Sequence, residues 1–125
     1  MRITLAFGIS MALLTSSAFG ADMGVSFEWG PTKKCFDPKS PPIKLAGVPA
    51  GTENLDIKMI DRNAIGFDHG GATMPYKGQA ALPYGAFRYR GPCPPSGSHS
   101  YQFTVKALDS GGKVLATAKT SKMFP

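Results

Sequence analysis

The stretch Arg90-Gly91-Pro92-Cys93-Pro94-Pro95-Ser96-Gly97-Ser98-His99-Ser100-Tyr101 puts one cysteine and one histidine on a proline-punctuated loop, directly before an alternating apolar and polar run. Proline fixes φ and withholds a backbone donor, so Pro92, Pro94 and Pro95 leave this loop few conformations, and Gly97 allows the turn that aims His99. A rigid loop of this kind presents side chains at the rim of a β-sheet. His69, Cys93 and His99 are also the residue types of a copper electron-transfer site, a soft thiolate with two imidazoles. Against that reading, five residues separate Cys93 from His99, no methionine follows at the axial position, and Cys35 is a better partner for Cys93. Two histidines with Asp61 are the bare minimum for zinc. There is no Gly-x-Ser-x-Gly elbow, and Ser96 or Ser98 lying near a histidine in sequence says nothing of geometry in space. The expectation is a binding protein, not an enzyme, with no cofactor and no metal.

The elements that must hold these residues read as strands. Tyr101, Phe103, Val105 and Ala107 alternate with polar residues, and Leu55, Ile57 and Met59 do the same on a strand that runs into Asp61. Val25, Phe27 and Trp29 predict a first strand, and Phe87 and Tyr89 oppose Arg88 and Arg90 on another short one. Asp109-Ser110-Gly111-Gly112 is a turn whose return arm covers residues 113–119. With 15 glycines and 11 prolines between short strands and no helical periodicity beyond the leader, the pattern is an all-β sandwich or Greek-key barrel.

The first 20 residues read as a secretory signal peptide: Arg2, an apolar run from Ile3 to Leu14, then small residues before a cut between Gly20 and Ala21. Residues 21–125 then form a single domain without an integral membrane segment, periplasmic or secreted. In that compartment the chain's two cysteines, Cys35 and Cys93, read as one disulfide, the alternative being two separate buried thiols. The net charge of +6, one less without Arg2, favours anionic partners or serves solubility. The lysines are scattered without an aromatic-basic stripe, which argues against nucleic acid.

The Gly91-Pro92-Cys93-Pro94-Pro95-Ser96-Gly97-Ser98-His99-Ser100-Tyr101-Gln102-Phe103 segment resembles the signature of the phosphatidylethanolamine-binding protein family, in its short secreted bacterial branch. The run from Cys35 to Thr52 is similar to that family's opening motif, and Asp61-Arg62-Asn63-Ala64 followed by His69 resembles its pocket strand. The resemblance covers about Cys35 to Asp109. It implies a Greek-key core reduced in size, with the C-terminal helical region largely missing, and a small anion pocket lined by Asp61, His69, His99 and Tyr101, with Gly91 and Pro92 in its wall. A phosphate or phospholipid headgroup is the implied ligand, and the family's regulatory character adds a possible protein partner. The chain departs from the pattern at Arg62, Asn63, Gly70 and Ser100. Gly70 stands where the family carries tryptophan, so an aromatic wall is expected to be lost. A sandwich with a degenerate pocket and a purely structural or interaction role is the remaining alternative. Export is tested by N-terminal sequencing of the periplasmic protein: Ala21 is the expected first residue, and Met1 would overturn the localisation.

Overall fold

In the computed structural model residues 22–125 are described, and the expected leader lies outside them. Seven strands form two antiparallel sheets. The smaller contains β1 (Gly24–Phe27), β2 (Ile43–Ala46) and β5 (Ala81–Leu82) in the order β1-β2-β5. The larger contains β3 (Asn54–Asp61), β4 (Asp68–Pro75), β6 (His99–Leu108) and β7 (Val114–Phe124) in the order β4-β3-β6-β7. The all-β expectation holds, and so does the hairpin between β6 and β7, with Gly112 N–H donating to the Asp109 carbonyl at its turn.

Period-2 patterning decides which faces meet. Leu55, Ile57 and Met59 of β3 and Tyr101, Phe103, Val105 and Ala107 of β6 are buried, against Phe27 of β1, Ile43 and Leu45 of β2 and Leu82 of β5. Phe27 crosses the gap between the sheets to meet Phe103 edge to face, with ring centroids 4.9 Å apart, a favoured aromatic geometry. Two sequence expectations change. The first strand ends at Phe27, so Trp29 lies beyond it, packed edge-on against Tyr101 at 5.7 Å and donating its indole N–H to the Met123 carbonyl. Phe87 and Tyr89 are buried and Arg88 and Arg90 exposed, as alternation requires, yet no strand forms there; a single bridge, Lys39 to Arg88, pairs this segment.

The large sheet gathers the site at one end. β3 runs antiparallel to both β4 and β6, so the end of β3 (Asp61) lies beside the beginnings of β4 (His69) and β6 (His99, Tyr101); Asp61 is paired with Tyr101. Between β3 and β4 the register slips by one residue: Lys58 faces Gly71, while Ile60 faces Asp68. The extra residue is a bulge at His69-Gly70, and Gly70 adopts a φ of 70° there. A slip of one residue exchanges the faces of a strand. Without it His69 would share the exposed face of Lys58 and Ile60; with it the imidazole turns inward and is 3% exposed. Gly71 follows for a steric reason, since a Cβ there would overlap the Ile57 carbonyl.

Cys35 and Cys93 form the expected disulfide, with Cα atoms 4.7 Å apart and a sequence separation of 58. Closing a loop of that length stabilises the fold by about 4 kcal/mol in the chain-entropy model. Phe103, fully buried at the centre of the aromatic cluster, tests the core: Phe103→Ala should cost roughly 3 to 5 kcal/mol in denaturant unfolding, and a loss below about 1 kcal/mol would contradict the packing described.

Candidate functional site

Asp61 ends β3 with its carboxylate turned into the protein, 4% exposed. A buried carboxylate must be hydrogen-bonded or paired. His99 Nδ1–H donates to Asp61 Oδ2 at 2.6 Å, and the Asn63 backbone N–H donates to Oδ1 at 2.9 Å. Asn63 closes the turn a second way, its Oδ1 accepting the Ser100 N–H at 2.7 Å, so the asparagine at this position ties the end of β3 to the start of β6. Burial pushes the Asp61 pKa up. The His99 hydrogen bond, the Asn63 N–H and the charges of His99 and His69 outweigh it, holding the pKa below the ordinary value.

His69 is fixed differently. Its Nδ1–H donates to the Arg90 carbonyl at 2.7 Å, while the Arg90 N–H donates back to the His69 carbonyl at 2.8 Å. Both imidazoles therefore use Nδ1 for structure, which sets their tautomer and leaves Nε2 as the atom each ring can offer a ligand.

Tyr101 lies between them, its ring 5.4 Å from His69 and 6.4 Å from His99. It is fully buried, and its hydroxyl has no hydrogen-bond partner, with Asp61 and the Cys93 backbone as polar neighbours. Burial, then the charge of Asp61, pushes its pKa up to about 12 against the opposing effect of the Cys93 backbone, so the phenol keeps its proton.

A pocket of about 260 Å³ opens here, lined by Phe36, Asp61, Ala64, Phe67, His69, Cys93 and Pro95. Of the residues expected from sequence, Asp61 and His69 face it. His99 adjoins through Asp61, and Tyr101, Gly91 and Pro92 are buried outside its lining. Gly91 has a backbone role: its N–H donates to the Asp37 carbonyl at 3.0 Å, and a Cβ would come within 2.7 Å of that oxygen. Asp37 in turn holds the base of the loop, accepting from the Lys39 N–H at 3.0 Å and the Tyr84 hydroxyl at 2.5 Å.

The pocket has an aromatic wall. Phe36 and Phe67 stack with centroids 5.6 Å apart, and Phe67 lies 4.6 Å from the His69 ring. Gly70 contributes no ring, as its residue type requires, and the wall comes from Phe36 and Phe67 instead. Sequence reasoning missed both rings because they come from irregular segments with no periodicity; the adjacency of Phe36 to Cys35 was the available signal. A larger hollow of about 970 Å³ lies between β1 and β7, but it contains neither histidine. Cys93 is bonded to Cys35, so the thiolate that the copper reading requires is not there, and among the described residues no group of three or more His, Cys, Asp or Glu side chains is placed to hold a metal.

No protein-family model and no curated protein matches the sequence. Among solved structures the chain is similar to a phosphatidylethanolamine-binding protein homologue from Chlamydia trachomatis, with a TM-score of 0.63 and 18% identity over 83% of this chain and 97% of that one. It is likewise similar to Escherichia coli YbcL, a member of the mammalian phosphatidylethanolamine-binding protein family, with a TM-score of 0.61 and 21% identity over 83% of this chain and 98% of that one. The fold is thus that of phosphatidylethanolamine-binding protein homologues.

The depressed pKa of Asp61 makes it a stabilising group at neutral pH. An unfolded Asp61 takes up its proton first as pH falls, so its contribution is present above about pH 4 and disappears as pH drops through the lower folded value. Asp37 acts in the same direction, its own burial being outweighed by the Tyr84 hydroxyl, the Lys39 N–H and the charges of Lys34 and Lys39. Asp61→Asn should therefore be less stable than the parent at pH 6, with the gap narrowing towards pH 3. Parallel stability curves for the two proteins across that range would contradict the pairing.

Proposed function

We propose that this is an extracytoplasmic binding protein whose pocket takes a small phosphate-type anion, such as the phosphodiester of a phospholipid headgroup. The observation that carries the reading is the anchored His69 imidazole in the pocket lining, with a second anchored imidazole, His99, adjoining through Asp61. Each uses Nδ1–H within the protein, at the Arg90 carbonyl or at Asp61, so a neutral ring has only an Nε2 lone pair left, which repels an anion. Protonation converts Nε2 to a charged donor. This chemistry supports a reading in which an anion is held when the histidines are protonated, with Asp61 balancing the charge they gain.

Size supports a small ligand. A volume of about 260 Å³ lies just under the roughly 300–1,000 Å³ of drug-sized sites, which suits a headgroup and leaves no room for acyl chains. Binding without chemistry is favoured because the nearby Ser98 hydroxyl donates to the Pro125 carbonyl, not to His99, and His99 faces a carboxylate with its Nδ1. The disulfide suits an oxidising compartment, and no described helix is long and apolar enough to cross a membrane. A protein partner modulated through the same face is compatible with this role.

A soluble phosphodiester is the right probe, because it keeps one negative charge where a phosphomonoester would itself take up a proton near pH 6. Calorimetry should show tighter binding as pH falls from about 7.5 to about 5.5, the range in which histidine ordinarily gains charge. His69→Ala and His99→Ala should each remove most of that dependence, and Lys113→Ala, on the distal hairpin, should retain it. Equal weak binding by all four proteins would assign the attraction to the general basic surface and reject the pocket.

A further inference from the structure

We infer that the outer edge of β7 is a second binding site, which takes one extended acidic segment of a partner protein as a further strand of the large sheet. β7 is the outermost strand there and, at 11 residues, the longest in the fold. Its pairing with β6 is unbroken from Ala116 to Phe124. The direction of its backbone groups follows from its neighbours. The Ser100 carbonyl accepts the Arg62 N–H on the β3 side, so Met123, paired with Ser100, turns its own groups away from β6, and its carbonyl accepts the Trp29 indole N–H there. Antiparallel pairing alternates along a strand. Thr117, Lys119 and Ser121 therefore also point their N–H and C=O outward, and among the described residues none of these groups has a hydrogen-bond partner. The opposite edge of the sheet differs, because β4 carries a bulge and ends in Pro75, both of which blunt an edge. β7 has neither over Ala116 to Phe124.

The hollow of about 970 Å³ runs along this edge, between β7 and the free side of β1. Its lining includes Met23, Val25, Val48, Leu115, Ala116 and Ala118, several of them only part-buried. A strand added to β7 would set every second side chain into this space, over the gap between the two sheets, and the others on the exposed face beside Thr117, Lys119 and Ser121. Unpaired ladder groups select an extended backbone, and the hollow selects apolar side chains at alternate positions, the two requirements of strand addition.

Charge decides between a second copy of this chain and a different partner. Lys119 is exposed in the middle of the open edge, with Lys113 before the strand and Lys122 further along it. The nearby carboxylates do not neutralise the middle: Glu28 is engaged by Lys122 Nζ at 3.2 Å, and Asp22 lies on the β1 side of the hollow. Lysine on an edge ordinarily guards against self-pairing. Two β7 strands side by side would bring two sets of lysines together, whereas glutamate or aspartate beside Lys119 makes a favourable cross-strand pair. The edge thus discriminates against its own copy and in favour of an acidic strand.

The test titrates residues 21–125, with the disulfide intact, with the peptide acetyl-Glu-Val-Glu-Val-Glu-Val-Glu-amide, following affinity by anisotropy and the edge by amide exchange in NMR spectra. The parent should bind it, and the Thr117, Lys119 and Ser121 amide protons should exchange about tenfold more slowly in the complex. Added salt should weaken binding. Lys119→Glu should weaken it roughly three- to tenfold, the effect of turning cross-strand attraction into repulsion. That variant should also bind the counterpart with lysine in place of glutamate better than the parent does. Residues directly opposite share a face, so the glutamate N–H groups are the ones that meet β7. A peptide N-methylated at its glutamates should therefore fail to bind, and one N-methylated at its valines should bind like the original. Thr117→Pro, which deletes one outward N–H where an edge strand accepts proline, should lose binding, and Thr117→Ser should keep it. No binding by the parent, equal binding of the two N-methylated peptides, or indifference to Lys119→Glu would overturn the proposal. Dimerisation that protects the same amides without peptide would assign the edge to a second copy and overturn it likewise.

Discussion

Everything at this end of the molecule depends on one carboxylate placed out of water. Asp61 continues the inward-facing series of β3 after Leu55, Ile57 and Met59, so the strand that builds the core also delivers a charge into it. Such a charge is tolerated only if each oxygen finds a donor and a cation lies nearby. His99 and the Asn63 N–H meet the first demand, and the two imidazoles can meet the second. The arrangement orders the turn after β3, the beginning of β6 and the orientation of His99 at once, because moving any of them would leave the carboxylate unsatisfied.

The loop over the pocket is held by covalent and backbone means, with few side-chain contacts of its own. The disulfide joins the segment carrying Phe36 to the loop carrying Pro95, so that both walls are fixed relative to the histidines between them. Asp37 supports the same loop through the Gly91 N–H, and the close backbone approach there explains why glycine precedes the proline run. A small domain with a modest core thereby keeps a site of defined shape on segments that lack regular secondary structure.

How much of this was legible from sequence differs by element. β3 and β6 were evident because long strands with one buried face impose strict alternation, and Tyr101, Phe103 and Val105 showed it. β2 and β5 were not, being four residues and two residues long, too short for a period to register. Phe87 and Tyr89 illustrate the reverse error: alternating burial arises wherever an extended chain lies on a core, with or without a partner strand. At the site, Asp61, His69 and His99 were found through ordered motifs, but the Arg90 carbonyl, the Asp37 support and the Phe36-Phe67 wall were not. Those contacts join loops distant in sequence, and nothing in local composition reports them. Tyr101, expected to line the pocket, supports it from behind because the inward face of β6 is already core at that point.

The one-residue slip between β3 and β4 separates two ways of losing the bulge. Met59, an inward residue of β3, lies opposite His69 and Gly70 together. Removing one glycine from the Gly70-Gly71 pair while keeping the pairs on either side would leave His69 opposite Met59 alone, with the imidazole still inward and the strand regular. Sliding the pairing into one continuous register with both glycines kept would instead set His69 opposite Ile60, on the solvent face, with the core strands β3 and β6 undisturbed. A shorter segment here therefore keeps the inward histidine, whereas a segment of the same length keeps it only while the extra residue stays between Asp68 and Gly71.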